Sequence, residues 1–172
     1  MADERMLFSE LLAGYGTMTI GPGMDVESVF ALLKLRSEDA TPAWSVRSGG
    51  TPLTKEELLG ALDGLTTSIR RKLTERWKRT VTPQPAAGGT GQQAAPSPIP
   101  FSELLAGLET QGVDDKYLIE SVFAVIKARR LDGAPVWYVR SSEMRLSFEE
   151  LVGALEGYAD NVRDNLAGSW TW

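Results

Sequence analysis

The side chains that could do chemistry are few in kind. The chain of 172 residues contains no histidine and no cysteine. Composition alone therefore excludes a Ser–His–Asp triad, a thiolate nucleophile and a histidine acid–base group. It also excludes a disulfide framework and leaves a zinc site without thiolate or imidazole ligands. Carboxylates, Lys, Tyr or a carboxylate-bound metal remain for catalysis. Three acidic pairs occur, at Glu56-Glu57, Glu149-Glu150 and Asp114-Asp115. Successive residues on a helix do not face each other, and the first two pairs fall at expected helix starts, where capping and the helix dipole account for them. Asp114-Asp115 reads as a solvated loop. Gly21-Pro22-Gly23 lacks the Lys-Ser/Thr and the strand–loop–helix context of a phosphate loop, and reads as a turn. The expectation is a protein that is not an enzyme and holds no cofactor and no metal.

Binding chemistry is better represented. Arg47 and Arg140 each stand three positions after a tryptophan and just before a serine, on the strand face opposite that tryptophan. Each is read either as the cation of an internal salt bridge, to Glu57 or Glu150, or as a guanidinium displayed to a partner's carboxylate or phosphate. Arg70, Arg71, Lys72, Arg76, Lys78 and Arg79 crowd one expected helix end. Trp172 joins no apolar stripe and is available to cover another part of the fold or a partner. Arg47, Arg140, Arg70, Arg71, Arg76 and Trp172 form the candidate partner-binding set.

These residues sit in a chain that reads as two copies of one unit. Phe8 aligns with Phe101, Glu27 with Glu120, Trp44 with Trp137 and Trp77 with Trp170, always 93 positions apart. About 32 of the 70 positions from Phe8 to Trp77 are identical to their counterparts, which marks a duplication. Residues 1–79 form the first copy and residues 100–172 the second. Between them, residues 80–99 carry four prolines and no charge. That stretch cannot bury enough apolar surface to offset its ordering entropy, and reads as a flexible Pro/Gly/Ala/Gln linker.

Each unit needs elements to position its arginine and tryptophan. A short helix is expected over 7–13 and again over 101–106, stopped by Gly14 and Gly107. A second helix is expected from Asp25, with Val26, Val29, Phe30 and Leu33 as its buried stripe and Lys34 and Arg36 at its C-terminal end. Residues 42–48 and 135–141 alternate as strands. Gly49-Gly50 should turn the chain, although Ser142-Glu143 stands there in the second copy. Capping boxes at Thr54–Glu57 and Ser147–Glu150 open a long amphipathic helix in each copy. Gly60, Gly64, Gly153 and Gly157 inside those helices suggest close contact with another helix. The fold class is α+β, a tandem helix–helix–strand/hairpin–long helix unit, packed as a pseudo-twofold intrachain dimer along the long helices.

Charge separates the copies. The first carries 11 basic and 11 acidic side chains, the second 7 and 12. Like cores with unlike surfaces point to a non-catalytic protein-interaction module, an adaptor, scaffold or assembly component, whose partner is another protein. The alternative is a nucleic-acid-binding transcriptional regulator, since helix–helix–hairpin is loosely the winged-helix order and the basic helix end could meet phosphates. A third reading is a small-molecule sensor with an anion site between the copies. No apolar run reaches membrane-spanning length, and the N-terminal residues do not read as a signal peptide. The expectation is a cytoplasmic protein without a membrane partner.

Overall fold

A computed structural model describes residues 5–81, 97–142 and 146–167. The protein is α+β. It divides into two compact units, Met1–Pro52 with Pro96–Arg145, and Leu53–Ala95 with Leu146–Trp172. Each unit takes one segment from each half of the chain.

The first unit is built on strands. In chain order it holds β1 (Arg5–Leu7), α1 (Phe8–Leu11), β2 (Gly16–Thr17), β3 (Asp25–Ser37), β4 (Pro42–Gly50), β5 (Ile99–Pro100), α3 (Phe101–Leu104), β6 (Glu109–Gln111), β7 (Tyr117–Arg129) and β8 (Pro135–Ser141). Numbering in chain order leaves α2 (Lys55–Val81) and α4 (Phe148–Ala167) to the second unit. Two hairpins join through their long strands into one antiparallel sheet of order β4-β3-β7-β8. Ala31 lies opposite Ala124, its counterpart 93 positions on, and Val29–Ile126 is repeated by Leu33–Val122. One sheet face carries Val29, Ala31, Leu33, Leu35, Val122, Ala124 and Ile126 against Phe8, Leu12, Phe101 and Leu105. Phe30, Leu32, Phe123 and Val125 alternate to the other face and are also buried. The short strands cross between halves, β1 pairing with β6 and β2 with β5.

The second helix expected from Asp25 is therefore a strand. Its apolar run has nearly every position buried, because both faces of a central strand are covered. The helical spacing of Val26, Val29, Phe30 and Leu33 was one subset of that run, and the run itself is the signature of a two-faced strand. Lys34 and Arg36 close no helix; both pair with Glu120 across the sheet. The helix–helix–hairpin order disappears with this helix. Glycine does not turn the chain at 49–50 either: β4 runs through both positions. Gly50 sits at φ +80° with the Glu27 carbonyl oxygen 2.3 Å from where a Cβ would stand, so only glycine fits.

The second unit is a pair of helices. Both capping boxes close: Thr54 N donates to Glu57 Oε2 and Glu57 N to Thr54 Oγ1, and Ser147 and Glu150 repeat the exchange. Leu62 and Ile69 of α2, and Leu151, Leu155, Ala159 and Val162 of α4, are buried. Asp63 pairs with Arg163 and Arg70 with Glu156. Numbers rise along one helix as they fall along the other, so the two run antiparallel. The halves meet here, but their longer meeting is the β3–β7 pairing, which replaces the expected packing along long helices alone. Of the stretch expected as a linker, 80–99, the first two residues end α2 and Ile99 starts β5; residues 82–96 lie outside the described residues.

The helix glycines are not contact points. A Cβ built at Gly60, Gly64, Gly153 or Gly157 meets nothing within 4 Å. With no close backbone to accommodate, each glycine costs the helix its usual entropy. Gly60→Ala and Gly153→Ala should each raise stability by about 0.5–1 kcal/mol, read as a higher urea midpoint at unchanged slope. A fall in midpoint would restore the contact reading.

Candidate partner-binding surface

Arg47 and Arg140 are placed by the outer strands. The hydrogen-bonded pairs Glu27/Thr51 and Ser37/Thr41 fix the alternation of β4, so the backbone groups of Trp44, Val46 and Ser48 point away from the sheet. On β8, Trp137, Val139 and Ser141 point away in the same manner. Arginine stands between the last two of each trio, on the face opposite the tryptophan.

Both guanidiniums are turned to the protein's own backbone. Arg47 Nε donates to the carbonyls of Gln111 (3.0 Å) and Gly112 (3.2 Å), and Nη2 donates to Gly112 at 2.8 Å. Its Nη1 donates to Ser45 Oγ and to the outward carbonyl of Val46, each at 2.7 Å. Arg140 does the same with the other half of the chain, Nε to Met18 O at 3.0 Å, Nη2 to Thr19 O at 2.8 Å and Nη1 to Val139 O at 2.6 Å. It also lies 5.0 Å from the Tyr138 ring centroid. Burial lowers the Arg47 guanidinium's pKa from its ordinary value. Each arginine thus clips an outer strand to the other half, Arg47 at the end of β6 and Arg140 just after β2, and covers one carbonyl of an open sheet edge. The expected salt-bridge partners, Glu57 and Glu150, close the capping boxes instead.

Two further acidic residues, Glu27 and Glu120, are aligned by the sequence but gain a role only in the fold. The β3–β7 register slips at each, between Val26 and Ser28 and opposite Lys34 and Leu35, which leaves one extra residue on each strand as a bulge. Glu27 pairs with Arg129 at 2.8 Å, and Glu120 with Arg36. The Glu27–Glu120 alignment in sequence was the available signal, but a helix assignment gave it no meaning.

Thr17 and Thr110, again 93 positions apart, are 1% and 4% exposed, and neither Oγ1 has a hydrogen-bond partner among the described residues. A buried hydroxyl without a partner costs about 1–3 kcal/mol. Thr17→Val and Thr110→Val should therefore each raise the melting temperature, with a gain of about 1 kcal/mol. A loss would show that the hydroxyl finds a partner in solution.

The basic helix end resolves into two kinds of residue. Arg70 is held by Glu156 in the helix pair, and its counterpart Arg163 by Asp63 and Asp160 at 2.5 and 2.7 Å. Arg71 and Lys72 are exposed on α2, and their counterparts are Asp164 and Asn165, also exposed. Arg76 belongs to α2, but its side chain lies outside the described residues, as do Trp170 and Trp172. Among the described residues, no group of three or more acidic side chains could hold a metal ion, and no helix is long and apolar enough to cross a membrane. Asp114 accepts from Lys116 N at 3.2 Å and pairs with Lys116 Nζ at 3.0 Å, a loop holding itself.

Comparison with protein-family models, with curated proteins and with solved structures found no match for this chain.

Proposed function

We propose that this protein is a non-catalytic protein-interaction module, made by duplication of one unit and closed as an intrachain dimer, that docks an acidic partner protein through the C-terminal part of α2. One observation carries the reading. Of the basic residues on that helix, the one shared by both halves, Arg70/Arg163, is used to join α2 to α4. Arg71 and Lys72 are exposed, and the matching positions are acidic or neutral. On this stretch of the two long helices, the arginine that joins them is alike in the two halves, and the exposed positions after it differ in charge. Such divergence suits an asymmetric role for the two halves, with electrostatic steering toward one of them. Arg47 and Arg140, by contrast, serve the fold.

The test is affinity capture from the native host with the full chain and with the double variant Arg71→Glu, Lys72→Glu, compared at matched folding. The reading expects a defined protein on the wild type and a hold by the variant weaker by about tenfold or more, since two reversed contacts each cost about 1 kcal/mol or more. Equal capture by both removes α2 as the docking site. A salt-dependent gel shift at low salt, abolished by the same variant, would replace the protein partner with a nucleic acid.

A further inference from the structure

The contacts that join the two halves come in matched pairs. Val29–Ile126 is matched by Leu33–Val122 about the Ala31–Ala124 pair. Glu27–Arg129 is matched by Glu120–Arg36. The hold of Arg47 on Gln111 and Gly112 is matched by that of Arg140 on Met18 and Thr19. In the helix pair, Asp63–Arg163 is matched by Arg70–Glu156. The crossed ribbons follow suit, β1 with β6 and β2 with β5. Both compact units are therefore completed only when a first half meets a second half.

Nothing in these contacts requires that the two halves belong to one molecule. A second copy of the chain presents the same β7, the same Arg129 and the same Glu156. Within one chain, the covalent connection favours closure by raising effective concentration. Between chains, closure uses the same contacts with no new interface, and the geometry is a closed twofold exchange.

We propose that the β3–β7 and α2–α4 junction is an interaction surface for a second copy of this chain. In the resulting dimer, the first half of each chain is completed by the second half of the other. Val29, Ala31, Leu33, Val122, Ala124 and Ile126 are all at most 1% exposed once the junction is closed, so exchange proceeds through opening of the sheet. The partition between monomer and exchanged dimer is thus set by chain concentration during folding, and persists afterwards because reopening is slow. This inference rests on the junction's geometry, and its failure would leave the α2 docking proposal untouched.

The chain has no cysteine, so single thiols report pairing directly. Variants Ala31→Cys and Ala124→Cys are refolded from denaturant, separately and mixed, over a range of concentrations, and then oxidised. The double variant in one chain is the positive control for closure of the pair. Wild type is refolded in parallel and sized by light scattering. The expected result is a wild-type dimer fraction that rises with refolding concentration, and a disulfide-linked dimer from the mixture several-fold above that from either variant alone. Wild type that stays monomeric at every concentration overturns the proposal. So does a dimer whose mixed variants give no more covalent product than Ala31→Cys by itself.

Discussion

Replacing Ala124 with aspartate should unfold the strands of both halves of the chain together. Ala124 is fully buried, lies opposite Ala31 and belongs to the apolar cluster that includes Phe8 and Phe101. The cation beside it, Arg140 on the neighbouring strand, is already committed to the backbone carbonyls of Met18, Thr19 and Val139, so a buried carboxylate there can gain it only by breaking those bonds, and the penalty is on the order of 3–5 kcal/mol. That is a large part of the roughly 5–15 kcal/mol that typically holds a domain together. Because β3 and β7 are the centre of one sheet, the loss cannot stay in the second half. The prediction is read by NMR signals assigned to the second half of the sheet, such as the Trp137 indole, together with signals assigned to the first half, such as the Trp44 indole. Both should be lost in one step, whereas Ala106→Asp, at an exposed position, should shift stability by less than about 0.5 kcal/mol. A variant that retains a folded first half would contradict the single-sheet architecture.

Arg47→Met should be the next most damaging change, at about 2–4 kcal/mol. Methionine keeps the apolar stem but strands the carbonyls of Gln111 and Gly112 and uncovers that of Val46. Charge-assisted hydrogen bonds of this kind contribute about 1.5–3 kcal/mol each where they are shielded from water. Arg140→Met should cost less, because its bonds to Met18 and Thr19 lie exposed, whereas most of those of Arg47 are partly buried. Lysine should not rescue position 47, since a single ammonium cannot span two backbone carbonyls in the fork that the guanidinium makes. Urea unfolding of the four variants Arg47→Met, Arg47→Lys, Arg140→Met and Arg140→Lys decides this. Equal losses at the two positions, or wild-type stability in the Arg47→Lys variant, would refute the clip.

The sequence was most legible where a local rule suffices. The capping boxes at Thr54 and Ser147 need only residues three apart, and they close as read. The stops at Gly14 and Gly107 fall where left-handed backbone follows a short helix. The alternation of Trp44 and Arg47 across a strand also held, because β4 is an edge strand with one face more exposed than the other. Legibility failed at β3 and β7. Their apolar runs serve two buried faces at once, so period-two alternation is absent and a helical spacing can be picked from the run. The misreading carried forward: with a helix at 25–36, Glu27 had no bulge to occupy and Arg36 no carboxylate across a strand. Gly60 and its fellows were misread for a different reason, since sequence cannot tell a glycine needed for close approach from one that merely faces open space.

By itself, then, the sequence determined the 93-residue correspondence, the absence of thiol and imidazole chemistry, the start of each long helix and the unequal charge of the two halves. These are matters of composition, spacing and short-range hydrogen bonding. Only the tertiary structure decided that the halves share one sheet, that Arg47 and Arg140 each clip one half to the other, and that Arg70 joins two helices while Arg71 faces water. Those outcomes depend on pairings between residues some 60 to 120 positions apart. Such pairings are selected by which faces can be buried together, and no local spacing in the chain encodes that choice.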